Sequence, residues 1–153
     1  MIGAAIAADA DWIASLWNEV IADTFVTFTT EPKSQTAITE MIATRPVLVL
    51  PDAMGFATYG PFRAGPGYAA TIEHTILLSP RAQGQGHGRT LLTALMNTAR
   101  GEQKHIMVAG ISGANPGAIA FHAALGFQQV AQMPEVGRKG GQWLDLILMQ
   151  KQL

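Results

Sequence analysis

The stretch SPRAQGQGHGRTLLTALM, residues 79–96, sets the tightest limit on what this chain can become. Before it runs YAATIEHTILL, apolar and β-branched. Within and after it, Leu91, Leu92, Leu95, Met96 and Ala99 recur at helical spacing. A strand therefore has to become a helix across Gly84, Gly86 and Gly88. In such a loop the free N–H groups and the start of the helix converge on one point. That makes an anion site, to which the helix dipole adds about 0.3–1 kcal/mol per charge. Glycine lets a bulky anion reach the backbone with no Cβ in the way. A tight glycine turn with no ligand reads the same. Two nucleotide-binding loops are excluded outright. A P-loop needs GxxxxGK followed by Ser or Thr, and no such string exists. A dinucleotide fingerprint needs GxGxxG, and Arg89 stands where the third glycine belongs.

The flanking segments give the order of elements. IGAAIA reads as a first strand. Trp12, Ile13, Leu16, Trp17, Val20 and Ile21 then mark a helix, with Asp9 or Asp11 placed to cap it. DTFVTFTTEPKS is a loop, and SQTAITEMIATR a second helix that stops before Pro46. VLVL and GFATYGPF read as strands, followed by the YAATIEHTILL strand, the glycine loop and the third helix. HIMVAGI is a short buried strand. In NPGAIAFHAALGF, Asn115 is an N-cap, Pro116 sits at the first helical position and Gly126 follows the end. FQQVAQM and WLDLILMQKQL close the chain as strands around a glycine-rich turn. The order β-α-α-β-β-β-α-β-α-β-β lacks regular alternation, which predicts one α+β domain over residues 1–153, a sheet with helices on its faces.

Composition closes off other classes. The chain has no cysteine, so disulfide scaffolds, thiolate metal sites and cysteine nucleophiles are out. Net charge is −1 and the Lys and Arg residues are scattered, which argues against nucleic acid and anionic membrane as partners. The apolar N-terminus lacks a basic start and is interrupted by Asp9 and Asp11, so it does not read as a signal peptide. The four histidines fall in no metal-binding spacing, and no metal is expected. Ser79 lies outside any nucleophile-elbow pattern.

A few polar residues sit where burial makes them costly. Glu73 lies inside an apolar strand, where a carboxylate is either on the solvent face or paired to a function. His74 follows it, and adjacent strand residues face opposite sides unless a bulge turns both inward. His122 falls on the apolar stripe of the fourth helix, as a packed core residue or as a proton donor near neutral pH. Arg63, alone in a Pro/Gly-rich loop, is either a solvated charge or a fork for a carboxylate.

The glycine loop also fits the pyrophosphate signature of acetyl-CoA-dependent N-acyltransferases: Arg or Gln, then xxGx, then Gly or Ala. Gln83, Gly86 and Gly88 are in register with it. SPRAQGQGHGRTLL followed by NPGAIAFHAALGF resembles the GNAT acetyltransferase superfamily. TFTTEP, YGPFRAGPGY, TIEHTILLSP and EVGRKGGQWLDLILMQ resemble its phosphinothricin and methionine-sulfoximine acetyltransferase branch. The resemblance runs from about Thr24 to the end. It implies a twisted, mixed, largely antiparallel sheet whose fourth and fifth strands splay apart to admit acetyl-CoA as co-substrate. Carried over, the backbone of Ile76, Leu77 and Leu78 pairs with pantetheine, and Gly84, Gln85, Gly86, His87, Gly88 and Arg89 hold the diphosphate. Asn115 contacts the cofactor. Glu73 handles the acceptor ammonium as base or anchor, and His122 stands where the family often has a Tyr acid for the leaving thiolate. Phe28, Thr30, Tyr68, His74, Thr75 and Trp143 line the acceptor pocket, and Arg63 takes a carboxylate. The implied reaction is direct acetyl transfer to the amine of a small amino acid or analogue, in a cytoplasmic homodimer.

Three departures bear on the acceptor and on charge compensation. Relatives commonly carry Arg in the loop where this chain has Gln83 or Gln85, many have Arg where Ala69 stands, and the closing turn, often KFGRW, reads KGGQW here, with Gly140 and Gln142. They leave two alternatives open: a polyamine, drug or protein amine as acceptor, or an acyl-CoA sensor without turnover.

Overall fold

The structure, a computed structural model, describes residues 1–153. Seven strands form one sheet in the order β1-β2-β3-β4-β5-β7-β6. They are β1 (Gly3–Ala4), β2 (Val47–Val49), β3 (Gly55–Pro61), β4 (Thr71–Leu78), β5 (Ile106–Ser112), β6 (Gln128–Lys139) and β7 (Gln142–Gln152). The helices are α1 (Ala10–Asp23), α2 (Gln35–Thr44), α3 (His87–Gly101) and α4 (Pro116–Ala124). All neighbours are antiparallel except β4 and β5. The element order is the one read from the sequence.

Alternation along β3 shows how one sheet carries two cores. Phe56 packs with Ile13, Leu16 and Ile38 of α1 and α2, and Trp12 and Trp17 close on its ring at 6.4 and 5.4 Å. Its neighbour Ala57 faces the other way, into the layer of Leu91, Leu92 and Leu95 from α3. The apolar stripe of each helix thus meets one face of the sheet. At its far end α3 is tied to β3 by the Tyr59 hydroxyl, which donates to Glu102.

Four expectations need correction. The first strand is only Gly3–Ala4, because the Ile6 N–H donates to the Asp9 carboxylate at 2.8 Å and the chain turns into a 3₁₀ segment. Asp9 also accepts from the Trp12 indole at 2.9 Å, so it anchors the turn and makes no side-chain cap on α1. The fourth strand begins at Thr71, since Pro66–Tyr68 form a 3₁₀ turn in which the Tyr68 and Ala69 N–H groups donate to the Gly65 and Pro66 carbonyls at 3.2 and 3.3 Å. The sixth strand outruns FQQVAQM and reaches Lys139. It is kinked between Met133 and Gly137, where Glu135 takes φ 57° and its N–H donates to Asp145 at 2.9 Å. Gln132 donates to the other oxygen of Asp145, and these two donors hold its carboxyl below the usual range. The Asp of WLDL is therefore the pin of a β-bulge. The closing hairpin turns on Gly140 and Gly141, both at positive φ, as a type I′ turn requires.

Candidate active site

The pairing of β4 with β5 stops at Glu73↔Val108, although β4 runs on to Leu78 and β5 to Ser112. The two strands part there and leave a cleft of about 350 Å³. Glu73, His74, Thr75, Ile76 and Leu77 line one wall, and Ala109 to Ser112 line the other. Along the opened edge of β4, backbone N–H and C=O groups lose their sheet partner. An extended amide-bearing chain can add there as a strand does.

Glu73 and His74 point to opposite faces, as a regular strand requires, and β4 has no bulge. Both nevertheless border the cleft, because the splay opens it to either face. The expectation that only a bulge could bring both inward is overturned. Glu73 crosses toward β5, and a Cβ on Gly110 would lie 2.9 Å from its Oε2. The carboxylate is open to the cleft, yet enough protein surrounds it that desolvation raises its pKa above the ordinary value. His74 is buried. Its Nδ1 lies 3.1 Å from the Val108 carbonyl and its Nε2 lies 3.0 Å from Nε2 of His122. The Nδ1 of His122 lies 2.7 Å from the Ala118 carbonyl.

The opposite side of the cleft is built by the loop between α1 and α2. Val26, Thr27, Phe28 and Thr29 reach the cleft, with Trp17 and Lys33. Three devices hold this loop. The buried Lys139 ammonium donates to the carbonyls of Thr24 and Thr27 and to Thr27 Oγ1, at 2.8, 2.9 and 3.1 Å. Asn18 brackets Lys33, accepting its N–H at 2.7 Å and donating to its carbonyl at 2.9 Å. Gly137, at the end of the β6 bulge, leaves room for the Phe28 ring, which a Cβ would meet at 2.5 Å.

Beyond Leu78, where β4 ends, lies the glycine loop. Gly84 and Gly86 take φ of 74° and 82°, a region costly to other residues, and a Cβ on either would meet open space. Gly88 is different: a Cβ there would press on Leu78 and Phe121 at 3.2 and 3.3 Å, so this glycine serves helix packing. The N–H groups of Gly84, Gln85 and Gly86 have no acceptor among the loop bonds. Those of His87, Gly88 and Arg89 belong to the first turn of α3, which has no intrahelical acceptors. Six donors and a helix start suit a diphosphate. Asn115 lines the cleft and caps α4, its Oδ1 accepting from Ala118 N–H at 3.2 Å.

The chain matches the model of the acetyltransferase (GNAT) family over residues 13–127. It belongs to the GNAT acetyltransferases. It is 40% identical over 143 residues to the L-methionine sulfoximine/L-methionine sulfone acetyltransferase of Salmonella typhimurium, spanning 92% of this chain and 80% of that protein. The acetyltransferase yncA of the same organism, solved with its cofactor acetyl-CoA, superposes with a TM-score of 0.95 at 37% identity, over 100% of this chain and 93% of that one. A phosphinothricin acetyltransferase from Sinorhizobium meliloti in complex with acetyl-CoA gives 0.93 at 33% identity, over 100% and 88%. This GNAT chain therefore carries an N-acetyltransferase fold whose neighbours hold acetyl-CoA.

Of the residues named from sequence, the fold of this acetyltransferase gathers Glu73, His74, Thr75, Ile76, Leu77, Asn115, His122 and Phe28 around one cleft. Arg63, Tyr68 and Trp143 are exposed and do not line it; Trp143 instead stacks under Arg138 at 4.3 Å. Thr30 borders a separate hollow beside Lys139. The cation on the cleft wall is Lys33, whose ammonium lies 4.8 Å over the Trp17 ring. Sequence reasoning missed Lys33, Trp17, Gly110 and Lys139. The one available signal was the EPKS string, where a lysine follows the proline that ends the loop.

Proposed function

We propose that this enzyme moves the acetyl group of acetyl-CoA to the α-amine of a small amino acid or analogue of the methionine sulfoximine, methionine sulfone or phosphinothricin type. The observation that carries the reading is the Glu73 carboxylate, set in the splay of β4 and β5 with its pKa raised by burial. Pantetheine adds to the β4 edge at Ile76–Leu78, the diphosphate lies on Gly84–Arg89, and Asn115 contacts the cofactor. This brings the thioester alongside Glu73. The carboxylate takes a proton from the acceptor ammonium, directly or through water, and a carboxylate with a raised pKa is the better base. The freed amine attacks the thioester carbon and the C–S bond breaks, with its electron pair going to sulfur. Phe28 and Thr75 pack against the acceptor. We assign its carboxylate to Lys33, since that ammonium faces the cleft and the Arg63 guanidinium does not. The relatives' amino-acid acceptors support this over a polyamine.

We infer a homodimer as well. β6 is an edge strand that exposes Val130, Met133 and Val136, and Trp143 is exposed beside it on β7. We place the enzyme in the cytoplasm, with its acetyl donor; no helix is long and apolar enough to cross a membrane.

The test is thiol release from acetyl-CoA over a panel of methionine sulfoximine, methionine sulfone, phosphinothricin, common amino acids and spermidine. Release with the amino-acid analogues is expected. Lys33→Met should raise the acceptor KM and leave that of acetyl-CoA unchanged, while Arg63→Ala changes neither. Tight acetyl-CoA binding with no release from any amine would leave a sensor, and release with spermidine alone would remove the acceptor assignment.

A further inference from the structure

The His74–His122 contact poses a question of hydrogen count. Three contacts lie in a row: the Val108 carbonyl to His74 Nδ1 at 3.1 Å, His74 Nε2 to His122 Nε2 at 3.0 Å, and His122 Nδ1 to the Ala118 carbonyl at 2.7 Å. A carbonyl oxygen only accepts, so each Nδ1 must carry a hydrogen. The middle contact needs one too, because two bare Nε2 atoms would aim lone pairs at each other. Two neutral imidazoles hold one hydrogen fewer than the three contacts require. A doubly protonated pair would set two N–H groups face to face.

We propose that His74 and His122 share one proton between their Nε2 atoms, so that the pair is a fixed single positive charge beside the cleft, stabilising the thiolate as CoA leaves. The inference rests on the acetyltransferase reading of this site. It also revises the role of His122. Every ring nitrogen of the pair is engaged, so none directs a free N–H into the cleft. The pair acts by its charge, and no proton passes from it to sulfur. The C–S electron pair stays on sulfur until solvent or the second amine proton neutralises it. Of the two protons the ammonium loses on becoming an amide, one ends on sulfur and one in solvent. His74 is a positioning residue in this scheme, since it holds the proton on His122.

Burial resists charge on the pair, and the shared hydrogen bond is what favours keeping one proton there. Both rings are buried and packed against aromatic rings: Phe121 and Phe127 stand 5.1 and 5.2 Å from His122, and Phe127 stands 5.6 Å from His74. Burial and the repulsion of His122 push His74 down to about 3, against the pull of the Val108 carbonyl. Burial, the larger cause, works against any proton on the pair, and the repulsion of His122 adds to it for a second one. Burial also pushes His122 down, the Ala118 carbonyl pulling the other way. The shared hydrogen bond opposes that push, because losing its proton sets two lone pairs together. Among charged groups nearby, Glu73 turns to the opposite face of β4, and Lys33 lies across the cleft. β5 carries no titratable side chain, α4 carries none besides His122, Lys151 of β7 stands at Gly126, past the end of α4, and on β3 Tyr59, the register partner of His74, donates its hydroxyl to Glu102.

The test needs no substrate. Protein labelled with ¹⁵N at histidine is followed by NMR from pH 5.5 to 8. Both Nδ1 atoms should be protonated throughout, with one proton shared by the two Nε2 atoms. Two neutral rings at pH 7, or a bare Nδ1 on either ring, would overturn the proposal whatever the enzyme's activity. His74→Gln keeps a donor to His122 Nε2 without the charge. It should fold, bind acetyl-CoA with unchanged Kd, and lose about tenfold in kcat. A folded His74→Gln with full kcat would equally overturn it. Loss of the expected turnover in the wild type, with the NMR pattern intact, would instead count against the acetyltransferase reading alone.

Discussion

Gly110→Ala isolates the placement of Glu73 from everything else in the cleft. Gly110 is an exposed strand residue without positive φ, so alanine suits its backbone. The added Cβ would stand 2.9 Å from Glu73 Oε2, whereas ordinary contact begins at 3.4 Å. The carboxylate therefore retreats by about 0.5 Å, and misplacement by about 1 Å can cost roughly 100-fold. The expected loss in kcat/KM is about tenfold, or about 1.4 kcal/mol. Stability should not fall, since removing a strand glycine tends to add roughly 0.5–1 kcal/mol. The assay is steady-state thiol release, with acetyl-CoA titrated calorimetrically and Tm taken alongside. The decisive arm is Glu73→Gln/Gly110→Ala. If Gly110→Ala acts through Glu73, it costs almost nothing once the carboxylate is gone. Full additivity, or a tenfold weaker acetyl-CoA Kd as the sole effect, would refute the reasoning.

Other perturbations test neighbouring claims. The folded pKa of Glu73 lies above its unfolded one, so the group favours folding below the unfolded pKa and loses that contribution as pH rises through the folded value; Glu73→Gln should thus have the higher Tm at pH 7, with the gap closing toward pH 4 on a calorimetric series. Lys139→Met leaves two loop carbonyls unpaired, so it should lower stability by about 1–3 kcal/mol and raise the acceptor KM several-fold with the acetyl-CoA Kd unchanged. Gly86→Ala forces a side chain into φ 82°, at about 1–2 kcal/mol, and should weaken acetyl-CoA in titration by roughly tenfold while the acceptor KM holds.

What the sequence disclosed and what it hid divide along a physical line. Signals that act within a few residues were legible. Asn115-Pro116 opened α4, the apolar spacing from Leu91 to Ala99 faced α3 inward, and Gly84 and Gly86 took positive φ before it. Features set by contact between distant segments were not. Glu73 meets Gly110 across the splay, and Lys139 reaches back to Thr24 and Thr27. No periodicity in either segment records those meetings. The direction of Arg63, exposed and away from the cleft, was hidden for the same reason: a lone cation in a Pro/Gly loop carries no sign of where it points. Lys33 was placed at the cleft by its reciprocal bonds to Asn18, fifteen residues away. Asp145 was legible as part of a motif, but its work, pinning the bulge that seats Gly137 against Phe28, emerges only once β6 and β7 are paired.

The most direct measurement uses acetyl-CoA carrying ¹³C in its acetyl group and methionine sulfone as acceptor, with the products weighed by mass spectrometry. One N-acetylated amino acid bearing the label should form for each CoA released, and Glu73→Gln should reduce both together. CoA released as labelled acetate, with the amine unmodified, would contradict the account.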